Sequence, residues 1–244
     1  MTRAPSRSNT SAEDAAAFRA AVTKLRRDLG PQGWWPRVVR DGRMTEVKHH
    51  PGDASRWVSW TDADRAFEVA VGAILTQNTA WKNVETALVC LAERGLLTSS
   101  ALSSARLPSI ASAIRSAGYY RQKTKKLKTF ARFVEDTLDG NLINILSSSS
   151  AAKDLPIIRE RLLSLWGIGP ETADTILLYG LGVPSFVVDA YTRRFLVEVT
   201  GSIRWLTMPY DDVRSFCEAA IPRSVRGWQE AHAVIVAWGK TKVR

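Results

Sequence analysis

Cysteine is nearly missing. The 244 residues hold only Cys90 and Cys217, with no CxxC spacing. A disulfide framework, a zinc ribbon and an iron–sulfur cluster on four cysteines of this chain are thereby excluded. Histidines number three, and the adjacent His49-His50 has no carboxylate or cysteine at metal-ligand spacing, so it reads as a solvated loop and no metal is expected. No stretch approaches the roughly 18 uninterrupted apolar residues of a membrane span. The first dozen residues, MTRAPSRSNTSA, lack the apolar centre of a signal peptide, so export is not expected. A glycine-rich phosphate loop is absent, and so is the alternating βαβ pattern of a nucleotide-binding fold.

Positive charge is abundant. Thirty-four Lys and Arg against 24 acids give a net charge of +10, which favours a polyanionic partner over an indifferent basic surface. Apolar residues at 45% and charged residues at 24% are ordinary for a globular chain, long enough for one large domain or two small ones. Of nine tryptophans, Trp34, Trp35, Trp57, Trp60 and Trp81 crowd the N-terminal third.

Residues 1–12 read as a disordered basic tail. From Ala15 to Leu29, Phe18, Val22, Leu25 and Leu29 recur at helical spacing until Gly30-Pro31 stops them. Residues 36–64 show no steady period and read as an irregular connection. Helical stripes then follow: Phe67/Val71/Ile74/Leu75, Trp81/Val84/Leu88/Leu91, Leu107/Ile110/Ile114, Leu127/Phe130/Val134, Ile158/Leu162/Leu165, Ala173/Ile176/Leu177/Leu181, Tyr191/Phe195/Val199 and Ala231/Ile235/Trp238. The one strand-like run is Ser185–Val188. The expected class is all-α.

The most specific segment is LWGIGPETAD, residues 165–174, in which two glycines bracket one apolar residue between two amphipathic helices. Such a turn brings backbone close to a ligand, Pro170 suits the first helical position, and Glu171 suits the positive first turn. Turn amides at a helix start seat a phosphate oxygen, although a tight C-cap alone has the same signature.

Four ordered motifs carry a resemblance over roughly residues 65–240. FEVAVGAILTQNT resembles the first barrel helix and Gln-containing loop of the helix-hairpin-helix (HhH-GPD) DNA glycosylase superfamily, which contains endonuclease III. AGYYRQKTKKLKTF resembles its G-x-Y/F-x-x-K-A-x-x-L segment, LLSLWGIGPETADTILLY its hairpin, and VPSFVVDAYTRRF the segment with its catalytic aspartate. Together with Trp34-Trp35-Pro36, these are most similar to the type III 3-methyladenine DNA glycosylases. The resemblance implies two helical domains, 64–183 as a barrel with its hairpin at 162–181, and 13–63 joined to 184–244, with the active-site cleft between them. Bifunctional members place a nucleophilic lysine two residues after the second hairpin glycine. Here Glu171 stands there, and a carboxylate cannot form the Schiff base that precedes strand cleavage.

The implied activity is monofunctional hydrolysis of the N-glycosidic bond of a flipped-out alkylated purine in duplex DNA. The implied enzyme is a monomer in the cytoplasm, at the bacterial nucleoid, with no required cofactor and no iron–sulfur cluster. A monovalent cation at the hairpin is compatible with this. Asp189 is the expected catalytic group, since a carboxylate near C1′ stabilises an oxocarbenium-like state and orients water; an N-cap role fits the same position. A cationic alkylpurine needs flat aromatic walls, for which Trp34, Trp35, Pro36 and Phe67 are candidates, Phe67 also fitting the core. Glu171 either draws in the cationic base or serves the helix dipole. Lys240 matches an active-site lysine of the type III relatives, or contacts phosphate. Gln77 fills the gap left by the extruded base, with Asn78 beside it, or is a buried amide holding its loop. DNA contacts are expected at Trp166, Gly167, Ile168, Gly169 and Thr172, and at Lys123 and Lys125 in a basic run, Arg115 to Arg132, with seven Lys or Arg and no acid. A glycosylase for an oxidised or deaminated base and a non-catalytic DNA-binding protein are the rival readings.

Overall fold

The computed structural model describes residues 7–41, 44–49, 63–146 and 155–242. The chain divides into two units, 1–34 with 184–244, and 35–183. Trp57, Trp60 and His50 lie outside the described residues.

The 35–183 unit is built round α2 (Ala63–Thr76), whose residues from Arg65 to Leu75 are all buried. A helix enclosed on every side must be apolar nearly all round, as AFEVAVGAIL is. Against it pack α3 (Trp81–Glu93), α6 (Tyr120–Leu138) and α8 (Pro170–Thr175), while α4 (Ser99–Ser104) and α5 (Leu107–Ala113) pack on α6, and α7 (Leu155–Leu163) on α8. On α6 the inward face is Leu127, Phe130, Val134 and Leu138, spaced three to four residues apart as a helix face requires. Phe67 stacks on Phe130 in this core, ring centroids 5.9 Å apart.

A two-stranded antiparallel ribbon, β1 (Arg37–Asp41) and β2 (Met44–Lys48), pairs Val38 with Val47 and joins this unit. The sequence reading had an irregular connection here and started the barrel at 64. Each strand carries mostly polar residues in five positions, too short for alternation to register, and its place is fixed from outside. Arg65 donates to the carbonyls of Trp35 (2.5 Å) and Pro36 (3.1 Å), and the Val38 N–H donates to Glu68 Oε1 (2.9 Å). Trp35 lies against Gly72 of α2, where a Cβ would come 3.1 Å from the indole.

The other unit packs α1 (Arg7–Leu29) against α9 (Ala190–Thr200), α10 (Tyr210–Ala220) and α11 (Val225–Lys242). Residues 7–12, expected as part of a disordered tail, are the first turns of α1. Aromatic rings knit this unit: Phe18 meets Phe195 (5.9 Å) and Phe216 (6.0 Å), and Phe195 meets Trp238 (5.0 Å). Ser185–Val188 is buried but belongs to no helix or sheet among the described residues. Its N–H groups go to side chains instead, Phe186 to Glu218 Oε1 (2.9 Å) and Val188 to the Tyr210 hydroxyl (3.2 Å). Backbone polar groups leaving water need partners, and here side chains stand in for a strand.

Candidate active site

Asp189 follows the Ser185–Val188 run, is itself extended, and caps α9. Its Oδ1 accepts from the Thr192 N–H (2.7 Å) and from the Thr192 hydroxyl (2.9 Å). Its Oδ2 faces His232 Nε2 of α11 at 3.6 Å, and the side chain keeps 15% of its surface in solvent. Burial alone would raise this carboxyl, but His232 and the Thr192 donors outweigh it and hold the group below the usual carboxylate range. The residue is thus a fixed carboxylate, ionised at neutral pH, with one oxygen committed to a cap and the other facing His232.

In the same unit, the Lys240 ammonium stands over the Trp34 ring, 5.1 Å from its centroid. The structure therefore brings Trp34 and Lys240 together near the end of α11. Trp35 parts from its neighbour. It belongs to the other unit, edge-on to Trp81 (5.1 Å) and tilted against Tyr179 (5.4 Å), with buried Pro36 beside it under the Arg65 latch. Phe67, offered as a pocket wall, is instead a core residue, because its stripe faces Phe130.

The hairpin between α7 and α8 turns at Gly167, whose φ of +89° favours glycine, and a Cβ there would lie 2.5 Å from the Lys126 stem. Behind the turn, Arg159 of α7 grips Asp174 of α8 with Nε on Oδ1 (2.8 Å) and Nη2 on Oδ2 (3.1 Å), both residues buried. Trp166 stands out at the tip, 57% exposed, while Ile168 and Thr172 are buried. Glu171 is exposed in the first turn of α8.

Gln77, in the turn after α2, crosses to this hairpin. Its Nε2 donates to the Gly167 carbonyl (3.0 Å) and to Thr172 Oγ1 (2.9 Å), and its Oε1 accepts from Lys126 Nζ (2.5 Å). Here it ties the loop to the hairpin. Asn78 beside it is in the left-handed region, φ +51°.

Lys123, expected on DNA, is 2% exposed and faces inward. Its three ammonium hydrogens meet the carbonyls of Leu75 (2.7 Å) and Ala117 (2.8 Å) and the Thr79 hydroxyl (2.5 Å). Burial, with Lys126 nearby, pulls it down to about 8, so it stays protonated at neutral pH. Its effect is to clamp the 76–80 turn to the 115–119 turn. Of the remaining basic run, Lys126 is spent on Gln77, Lys128 on the Ala105 carbonyl, and Arg115 over the Tyr120 ring (5.8 Å). Arg121, Lys125 and Arg132 are exposed.

Tyr119, embedded in the basic run, and His232 are not among the expected site residues. Tyr119, in a turn clamped by Lys123, is 70% exposed with φ +43°. Its signal in the sequence is its position after Gly118 in the basic run. His232 was hidden in an apolar helix, and its signal was a lone imidazole seven residues before Gly239 on the same face.

Among the described residues no group of three His, Cys, Asp or Glu side chains could hold a metal, and no helix is long and apolar enough to cross a membrane. The cysteines do not fit a four-thiolate cluster either. Cys90 and Cys217 belong to different units, and burial pushes the Cys217 thiol far up.

The sequence model of the HhH-GPD superfamily base excision DNA repair proteins matches residues 71–222. A protein of Methanocaldococcus jannaschii, assigned as a DNA repair glycosylase, is 40% identical over 178 residues, 73% of this chain and 78% of its own. The structure of H. pylori 3-methyladenine DNA glycosylase (MagIII) bound to 1,N6-ethenoadenine matches with a TM-score of 0.66 at 23% identity, covering 93% of this chain and 99% of that one. A trapped endonuclease III–DNA covalent intermediate matches at 0.64 and 18% identity, covering 93% and 86%. The architecture is the endonuclease III fold, and the chain belongs to the HhH-GPD superfamily of base excision DNA repair proteins.

Proposed function

We propose that this protein is a monofunctional DNA glycosylase, acting as a monomer on duplex DNA and hydrolysing the bond between deoxyribose and an alkylated purine. The observation that carries the reading is Asp189, a carboxylate held ionised at the start of α9. As the glycosidic bond breaks, its electron pair leaves with the base and positive charge gathers on the sugar. A fixed anion lowers the energy of that state and orients the attacking water. Glu171 in place of a hairpin lysine supports hydrolysis without strand cleavage, since no amine is there to attack C1′.

The alkylpurine preference draws on the 3-methyladenine glycosylase among the structural neighbours and on Trp34. That ring already takes a cation, Lys240, at 5.1 Å, the interaction a cationic base would use. The same lysine favours a second reading: left charged, it repels a cationic base and admits a neutral oxidised or deaminated one. A monovalent cation at the hairpin would have to share the carbonyls of Leu165 and Gly167 with the Ile168 N–H and Gln77 Nε2.

The test is single-turnover base release from methylated duplex DNA and from duplexes carrying one oxidised or deaminated base. The expected result is 3-methyladenine in the supernatant and an intact strand until alkali is added. Release of neutral lesions alone moves the assignment to the second reading, and strand breakage without alkali refutes the monofunctional one.

A further inference from the structure

His232 sits where an apolar residue would pack best. Its neighbours on α11, Ala231, Ala233, Val234 and Ile235, are buried, and so is the imidazole. A polar ring in such a place needs a polar partner, since burying a polar group without one is unfavourable. Asp189 Oδ2, 3.6 Å from Nε2, fills that role. The pairing follows from how α9 and α11 approach. Gly239 lies two turns beyond His232, and a Cβ on it would fall 2.1 Å from the Tyr191 ring. Tyr191 is two residues after Asp189, so the Tyr191–Gly239 contact lets the helices close and sets His232 opposite the start of α9.

We propose that His232 is a positioning residue for Asp189, presenting its Nε2 edge to Oδ2 so that the carboxylate keeps one orientation. The proposal rests on Asp189 being the catalytic carboxylate. With Oδ1 taken by two Thr192 donors, the carboxylate can still swing about that oxygen, and Oδ2 is held from the His232 side. At 3.6 Å the contact is slightly longer than a direct hydrogen bond and too short to admit a bridging water, so the imidazole edge bears on Oδ2 directly. On α9, Arg193 donates to the carbonyls of Trp205 (2.6 Å) and Met208 (2.8 Å). On α11, Glu230 is paired with Arg26 and Arg226. His232 also leads the groups that oppose the effect of burial on Asp189.

The experiment compares His232→Gln, which can place an amide donor near the Nε2 position, with His232→Leu, which fills the space without one. Single-turnover base release, affinity for lesion-bearing duplex and melting temperature are read for each. We expect His232→Leu to slow release by about tenfold or more at unchanged affinity and melting temperature, and His232→Gln to recover most of that loss. Wild-type release by His232→Leu, or equal slowing in both variants with a fall in melting temperature, overturns the proposal. Should the wild type release no base from any duplex tested, the functional reading fails by itself, and the pairing is then judged from the imidazole 15N resonances. Asp189→Asn must move His232 Nε2; an unmoved resonance refutes the pairing.

Discussion

The two oxygens of Asp189 face different tests. Asparagine keeps a carbonyl oxygen for the Thr192 N–H, so the cap survives, since Asn and Asp cap about equally well. It loses the charge. Asp189→Asn should therefore lower base release by at least about a hundredfold while leaving melting temperature and DNA affinity near wild type. Near-normal turnover would show that the residue only caps. The carboxyl is held below its usual value, so its contribution to stability is present above about pH 4 and is lost as pH falls through the lowered value. Acid melting curves of the wild type should thus fall more steeply than those of Asp189→Asn; parallel curves would mean the carboxylate is not held. Tyr119 makes the opposite kind of test. It is exposed and strained, so Tyr119→Gly should hold or raise the melting temperature while weakening DNA binding by about 1–3 kcal/mol if the ring stacks on a base. Unchanged affinity would leave it a surface residue. At this scale the sequence was an uneven guide. Lys123 and Lys125 look alike in KTKK, yet one is buried under three acceptors and the other exposed, because a two-residue step on a helix turns the side chain to nearly the opposite face.

Helices were the legible elements, because their apolar residues recur with the period that packing demands: Leu127, Phe130 and Val134 predict the inward face of α6 and occupy it. Elements held by partners distant in sequence were not legible. The β1–β2 ribbon depends on Arg65 and Glu68 some thirty residues later, and the Ser185–Val188 segment on Glu218 and Tyr210. The hairpin lies between these cases. LWGIGPETAD announces the turn, but what fixes the angle of α7 to α8 is the Arg159–Asp174 pair, with Arg159 lying outside that motif. Asp174→Asn leaves a buried guanidinium without its counter-charge, a loss of about 3–5 kcal/mol. Urea unfolding should report that deficit. If the midpoint stays, the pair contributes no net stability and the turn is held by Gly167 and the Gln77 bridge alone.

On the scale of the whole chain, a charge of +10 favours DNA, but the number of lysines does not give the number of phosphates touched. Three of the seven basic residues from Arg115 to Arg132 are engaged by hydrogen bonds within the protein, buried Lys123 and half-buried Lys126 and Lys128. Arg121, Lys125 and Arg132 remain exposed on α6, the first two a single turn apart and so on one face. Each cation that meets a phosphate releases bound counterions and adds about 0.9 to the slope of log affinity against log salt. Lys125→Ala and Arg121→Ala should each lower that slope by about one. Lys123→Met should leave the slope unchanged and lower the melting temperature instead, since its ammonium is buried and holds two turns together. A slope that falls with Lys123→Met and not with Lys125→Ala would mean that DNA is gripped elsewhere than along the outer face of α6.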